Sequence, residues 1–240
     1  MINIVTAFPG EARPLIAHLG VSDRYEEGPY TLYRNENRRL LITGGGKAQA
    51  TAATGWLRDT DPASANAAWL NIGIAGHACR SIGEGVLAHH ITDRGTGQNW
   101  YPPQVHGLTE PSDRLITVDQ PETAYPEVAL YDMEAAAFYP VACRTSTAEL
   151  VQCYKVVSDN RDTPIAAITP KLGEALITDR LADITRVVTT LEALSEALNA
   201  RTIADERLGV FMDRWHFTVS QGHQLEKLLR RWDALLPDQP

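Results

Sequence analysis

Short runs of apolar and β-branched residues, each ending at a glycine turn and followed by helix-spaced apolar positions, recur along the first two thirds of this chain. That alternation restricts it to folds in which strands and helices take turns. Ile2, Ile4, Val5 and Ala7 form the first run, which stops at Pro9-Gly10; Glu11, Leu15, Ile16 and Leu19 then predict a helix closed by Gly20. A second unit comprises Leu40 to Thr43, the turn Gly44-Gly45-Gly46 and an Ala-rich helix from Lys47 to about Leu57. Trp69 to Ile74, ending at Gly76, and Gly85 to Thr92 read as buried strands. Glu127 to Asp132 leads into an Ala-rich helix, and Val151 to Ser158 leads into a loop. Strands and helices at these separations predict a sheet covered on both faces.

Beyond Pro170, a residue suited to a first helical turn, Ile177, Leu181, Ile184, Val188, Leu191, Leu194 and Leu198 keep helical spacing and predict one long amphipathic helix. Leu225, Leu228, Leu229, Trp232, Leu235 and Leu236 give a further helical stripe after a Ser220 cap. An appended helix covering core or a subunit interface accounts for it. Gly95 to Glu122, rich in Gly and Pro, reads as loop.

Composition removes several function classes. With 240 residues, 44% hydrophobic and 22% charged, the chain can bury a real core and is not of a disordered kind. Its net charge of −8 repels a phosphate backbone and anionic lipid, so neither nucleic acid nor membrane is an expected partner. Cys79, Cys143 and Cys153 are sparse and unpatterned, as in a reduced, cytoplasmic protein. Met1 to Phe8 lacks the basic region and cleavage site of a signal peptide, and no apolar run is long enough to cross a bilayer.

Several motifs fail on inspection. Gly44-Gly45-Gly46-Lys47 would need Gly at Leu41 and Ser or Thr at Ala48 to be a phosphate loop, and Gly73-Ile74-Ala75-Gly76 lacks the dinucleotide spacing. Both turns allow close backbone approach, to a ligand or to a neighbouring element. His77, the pair His89-His90, His106, His216 and His223 fall in no zinc spacing, so no metal is expected. No Gly-x-Ser-x-Gly elbow or cysteine signature indicates covalent catalysis. Three acids stand where a strand gives way to turn or helix: Glu11, Glu134 and Asp159. Strand ends gather at one edge of such sheets, so these carboxylates can converge. Their bland roles are a favourable charge at a helix N-terminus for the two glutamates and turn formation for Asp159.

Taken together, Tyr131-Asp132-Met133-Glu134-Ala135-Ala136-Ala137 and, about twenty residues on, Lys155-Val156-Val157-Ser158-Asp159-Asn160 resemble the nucleoside phosphorylase and nucleosidase superfamily. The resemblance is closest to its methylthioadenosine/S-adenosylhomocysteine nucleosidase and futalosine hydrolase branch. Thr6 to Glu11, Gly44 to Ala48, Asn71 to Gly76 and Gly83 to Val86 support it, in the family's order, over residues 1–198; residues 199–240 form a helical extension outside it. The resemblance implies a three-layer αβα domain with a mixed central sheet, often a homodimer, that breaks the bond between a purine and ribose without a cofactor. It implies that Glu134 holds the ribose hydroxyls with Met133 against the sugar, that Asp159 assists the leaving base, and that Glu11 activates water. Ile74, Gly76, Ser158 and Lys155 fall among the matched segments, and Trp100 or Tyr101, in a region from which relatives lend residues to a neighbouring subunit's site, is expected either to line a 5′-substituent pocket or simply to pack. Phosphorolytic relatives carry Gly-Asp-Pro-x-Arg where this chain has Phe8-Pro9-Gly10-Glu11, which favours water over phosphate.

The types suit the chemistry. A purine leaves poorly as an anion and needs a proton; the ribosyl carbon turns cationic and is served by a carboxylate that also activates water. The sequence departs from the family at Ile74, where a small hydroxyl residue is usual, at Lys155, where Arg is common, and in a short stretch from Val118 to Asp132. The reading is therefore a purine nucleosidase acting on an adenosine-type, 5′-modified nucleoside, with a phosphate-dependent phosphorylase and a catalytically impaired nucleoside-binding protein as alternatives.

Overall fold

The structure, a computed structural model, describes residues 1–25, 28–60, 66–104, 107–202, 206–218, 221–222, 224–225, 228–229 and 232, with backbone alone at 167, 201, 202 and 206. Met1–Ser195 forms one compact unit and Glu196–Pro240 a second.

In the first unit the order is β1 (Ile2–Thr6), α1 (Pro9–Leu19), β2 (Asp23–Tyr25), β3 (Thr31–Arg34), β4 (Arg38–Ile42), α2 (Lys47–Thr60), β5 (Ala68–His77), β6 (Gly85–Asp93), β7 (Asn99–Trp100) and β8 (Ser112–Thr117). There follow β9 (Leu130–Asp132), α3 (Ala135–Ala142), β10 (Val151–Asp159), α4 (Pro170–Thr178) and α5 (Leu181–Thr202), of which the part up to Ser195 belongs to this unit. Local chemistry sets several boundaries. Pro9 opens α1, and Gly20 closes it in the left-handed conformation at φ +68°, its N–H donating to Ile16 O. Thr169 caps α4 by accepting from Leu172 N at 3.2 Å, with Pro170 in the first turn.

The strands form one mixed sheet. β1 lies parallel between β4 and β5, and β10 lies parallel to β5 on the edge opposite β1. β5, β10, β6, β8 and β9 then pair in a ring, because β9 returns to the far end of β5 at Gly76 and His77. Helices cover both faces. Trp69 on β5 meets Phe138 of α3 at 6.3 Å between ring centroids, whereas Ile74, an odd number of residues along, points to the other face, towards Gly173 of α4. α3 packs with α2, and α1 packs with α4, which completes three layers around a mixed sheet.

Two sequence expectations change, and one hairpin went unforeseen. The single helix after Pro170 is two, α4 and α5, separated at Asp179–Arg180. The apolar spacing runs through the break, so periodicity cannot reveal it. Arg180 Nε donates to Gly83 O at 2.6 Å while Arg180 O accepts from Ile184 N to start α5. The expected loop from Gly95 to Glu122 contains β7 and β8. Only Leu115, Ile116 and Thr117 of β8 are buried, too short an apolar run to stand out among prolines and glycines. The hairpin β2–β3, mostly polar and partly exposed, extends the sheet beyond β4 and carried no alternating signal.

In the second unit, α6 (Glu206–Arg214) is followed by Trp215, which stacks on Phe211 at 5.6 Å and lies under the Arg214 guanidinium at 5.1 Å. Leu225, Leu228, Leu229 and Trp232 are helical. Ser220, Leu235 and Leu236 of the expected stripe, with His106 and His223, lie outside the described residues. No helix among the described residues is long and apolar enough to cross a membrane.

Candidate active site

A split in the sheet creates the site. β10 occupies one edge of β5 from Trp69 to Gly76, so β1 and β9 must share the other. β1 pairs with β5 only as far as Asn71, and β9 begins at Gly76. Between them the backbone edge of β5 has no strand beside it. A buried N–H left there is costly, and the Glu11 side chain fills the place: its Oε1 accepts from Ile74 N at 3.0 Å. Its Oε2 accepts from Ala7 N at 3.0 Å and Phe8 N at 2.9 Å. Glu11 thus does cap the first turn of α1, the bland role read from sequence, and also reaches through the sheet. The carboxyl is buried. Burial pushes its pKa above the ordinary 4.5, against the opposing pull of the three N–H groups and of Lys155. Gly73 makes room, since a Cβ there would lie 3.1 Å from Glu11 Oε1 and 3.5 Å from Lys155 Nζ.

Glu134 stands at the start of α3 but does not cap it. Asp132 Oδ2 accepts from Ala135 N and Thr117 Oγ1 accepts from Ala136 N, both at 2.9 Å. Relieved of capping, Glu134 turns to the glycine turn after β4, where Oε1 accepts from Gly46 N at 2.7 Å; Oε2 accepts from Met133 N at 3.3 Å. Gly44 and Gly46 adopt φ of +85° and +91°, which side chains resist. Beneath, Lys155 Nζ lies 2.9 Å from Asp132 Oδ2, both side chains buried. Burial works against the ammonium, yet Asp132 and Glu134 outweigh it and hold Lys155 charged, well above its ordinary pKa. Glu134 in turn is raised, by burial first and then by the Asp132 charge.

Asp159 ends β10 just after a bulge: Val157 pairs with Ala75, yet Asp159 pairs with Gly76 rather than His77. The extra residue re-aims the side chain. Its Oδ1 accepts from Ser158 Oγ at 2.5 Å. Its Oδ2 accepts a short hydrogen bond from the Tyr125 phenol. A Cβ on Gly76 would lie 2.6 Å from Asp159 Oδ2 and 2.7 Å from Tyr125 Cε1, so glycine is required there. Asp159 is not the turn former, because Asn160 Oδ1 accepts from Asp162 N and Thr163 N instead.

The three acids follow β1, β9 and β10, and of these Glu11 and Glu134 lie close enough for each to act on Lys155 and for Glu11 to act on Glu134. Glu11 anchors at Ile74 and Asp159 at Gly76, two residues or about 7 Å apart along β5. Met133, half-buried, joins the two regions: it precedes Glu134 and packs against the cluster containing Tyr125 and Tyr131. Ile74 contributes its N–H, its side chain facing α4. Trp100, on β7, packs against the core cluster that includes Ile91 and Ala136, and its neighbour Tyr101 is exposed and stacks on His90 at 4.5 Å. Lys47 is spent on Asp93 at 2.8 Å and Asp119 at 2.7 Å. Sequence reasoning missed Tyr125, Thr117 and the part played by Asp132. Among the described residues no group of three or more His, Cys, Asp or Glu is placed to hold a metal ion.

No protein-family model matches the chain, and no curated protein sequence matches it significantly. Solved structures do match. The chain is similar to the 5′-methylthioadenosine nucleosidase of Arabidopsis thaliana in its apo form, with a TM-score of 0.68 and 18% identity over 79% of this chain and 95% of that one. It is similar to the 5′-methylthioadenosine/S-adenosylhomocysteine nucleosidase of Helicobacter pylori, at 0.66 and 14% over 78% and 97%. The corresponding enzyme of Neisseria meningitidis, in complex with methylthio-immucillin-A, gives 0.62 and 18% over 78% and 98%. At these identities the likeness establishes a shared fold.

Proposed function

We propose that this chain is a purine nucleosidase, hydrolysing the N-glycosidic bond of an adenosine-type nucleoside modified at its 5′ position. The observation that carries this reading is the Glu11 carboxylate held by three backbone N–H groups in the sheet split, facing Lys155 and Glu134. Backbone donors leave a carboxylate little freedom to swing, which suits a base that must aim one water at one carbon. The negative charge also faces the positive charge that develops on the ribosyl carbon as the bond stretches. Glu134 takes one N–H per oxygen and retains lone pairs for the ribose hydroxyls. Asp159 serves the leaving base.

Water rather than phosphate is the favoured nucleophile. A phosphate mono- or dianion needs an uncommitted cation, whereas Lys155 is bound to Asp132 and Lys47 to Asp93 and Asp119. The test is chromatographic: 5′-methylthioadenosine incubated with the protein is expected to yield free adenine equally with and without phosphate. Adenine release only with phosphate, together with a sugar 1-phosphate, would establish phosphorolysis instead.

One observation favours a second reading, a nucleoside-binding protein without turnover. The Asp159 oxygen that would serve a leaving base is already bonded to Tyr125. Binding of 5′-methylthioadenosine with no adenine released over days would support it. A homodimer belongs to the first reading as well, with sedimentation velocity as its check.

A further inference from the structure

We infer that Tyr125 is a built-in competitor of the leaving base for Asp159, and so a residue that sets which bases the site admits. The inference rests on the nucleosidase reading above. Tyr125 presents to Asp159 Oδ2 what a base would present: a planar aromatic ring with a donor in its plane. Its ring lies edge-on to Tyr131 at 5.8 Å and against Gly76, and both Tyr125 and Asp159 are almost fully buried. The acid is therefore shut under the phenol, while Met133 nearby is only half-buried.

The phenol is held in place at a cost. Tyr125 has φ +44°, a left-handed conformation unfavourable for a bulky side chain. Few bonds hold it there: the Asp159 hydrogen bond and one from Arg161 Nη2 to Tyr125 O at 2.6 Å. The flanking chain is tied separately, Glu122 and Glu127 to Arg94 at 3.5 and 3.0 Å and Glu127 to Arg114 at 3.1 Å. A ligand that replaces the phenol on Asp159 leaves those ties intact and relieves the backbone. A ring with a single donor exchanges one bond for its like; a ring nitrogen beside an exocyclic amino group offers a second, which is the chemistry that displaces Tyr125.

Tyr125→Phe keeps the ring and removes the competing donor, leaving Asp159 Oδ2 short of a partner until a ligand arrives. Adenine titrated calorimetrically is expected to bind Y125F about tenfold more tightly than the unaltered protein, about 1.4 kcal/mol, and the KM for 5′-methylthioadenosine is expected to fall. A merely structural tyrosine would give equal or weaker binding when cut to Phe, and that result overturns the inference. If Y125F fails to fold by circular dichroism, Arg161→Gln loosens the same residue from an exposed position, and tighter adenine binding is again expected. Adenine release by the unaltered protein with no tightening in either variant defeats the inference alone. No binding and no release by any of the proteins defeats it together with the nucleosidase reading.

Discussion

The two ends of the candidate site satisfy their carboxylates by different means. At the Glu11–Glu134 end the donors are backbone N–H groups of Ala7, Phe8, Gly46, Met133 and Ile74, over a buried Lys155–Asp132 pair. At the Asp159 end they are two hydroxyls, of Ser158 and Tyr125. A backbone donor cannot leave without moving its strand or helix, whereas a side-chain hydroxyl can rotate away. One end is thus a fixed frame and the other an exchangeable seat. That division suits the glycosidic hydrolysis proposed above, which asks for rigidity around the sugar and the water and exchange around the departing base.

Substitutions separate the two kinds of end. The largest effect is expected at Lys155, because Lys155→Met leaves Asp132 as an uncompensated buried charge. A loss of about 3–5 kcal/mol in denaturant unfolding is predicted, and adding Asp132→Asn should recover part of it. At Glu11, Gln would set an amide N–H against Ile74 N–H or against Ala7 and Phe8 N–H. Turnover should fall by about a hundredfold to ten-thousandfold and stability by about 1–3 kcal/mol, measured by adenine release and by chemical unfolding. Asp159→Asn should cost about a hundredfold in turnover with the melting curve nearly unchanged, since its neighbours are hydroxyls that both donate and accept. If it melts as Glu11→Gln does, the distinction between frame and seat fails.

Smaller effects sharpen the contrast. Gly76→Ala should destabilise by about 1–3 kcal/mol, as the new methyl meets buried Asp159 and Tyr125. Gly45→Ala should cost little in a thermal melt, as its methyl crowds only the end of the exposed Phe8 ring and lies 3.8 Å from Glu134 Oε1, an ordinary contact. The smallest effect is the pH dependence. Glu11 and Glu134 are raised above 4.5 by burial. The folded state therefore holds their protons more tightly than the unfolded chain. Their contribution to stability is complete below pH 4.5 and is lost as pH rises through the raised folded values. The proposed base role needs Glu11 ionised and runs the other way, so the acid limb of kcat/KM is expected to have its midpoint above 4.5. A midpoint at or below 4.5 would remove Glu11 from the base role.

Much of the frame was legible in the sequence. Ile2 to Ala7, Leu40 to Thr43, Trp69 to Gly76 and Val151 to Ser158 announce the inner strands through their apolar runs and glycines; Glu11 stands just after the first of them, and Glu134 just after the run Glu127 to Asp132. The seat was less so. Asp159 was singled out, but nothing local marks Tyr125, which lies 34 residues from the carboxylate it meets, on a loop following a strand most of whose residues are polar. The break at Asp179–Arg180 escaped for the same reason, because an apolar stripe passing through it conceals a contact from Arg180 to Gly83, 97 residues away.

By itself the sequence determined the inner strands and the helices that follow them, since periodicity and turn chemistry act over a few neighbouring residues, and it put the three acids at strand ends. Tertiary structure alone decided that β1 and β9 leave a space along β5, that Glu11 enters it, and that a bulge in β10 turns Asp159 to Tyr125. Those outcomes depend on which distant backbone groups lack a partner once the sheet has formed, and no local pattern of residues records that.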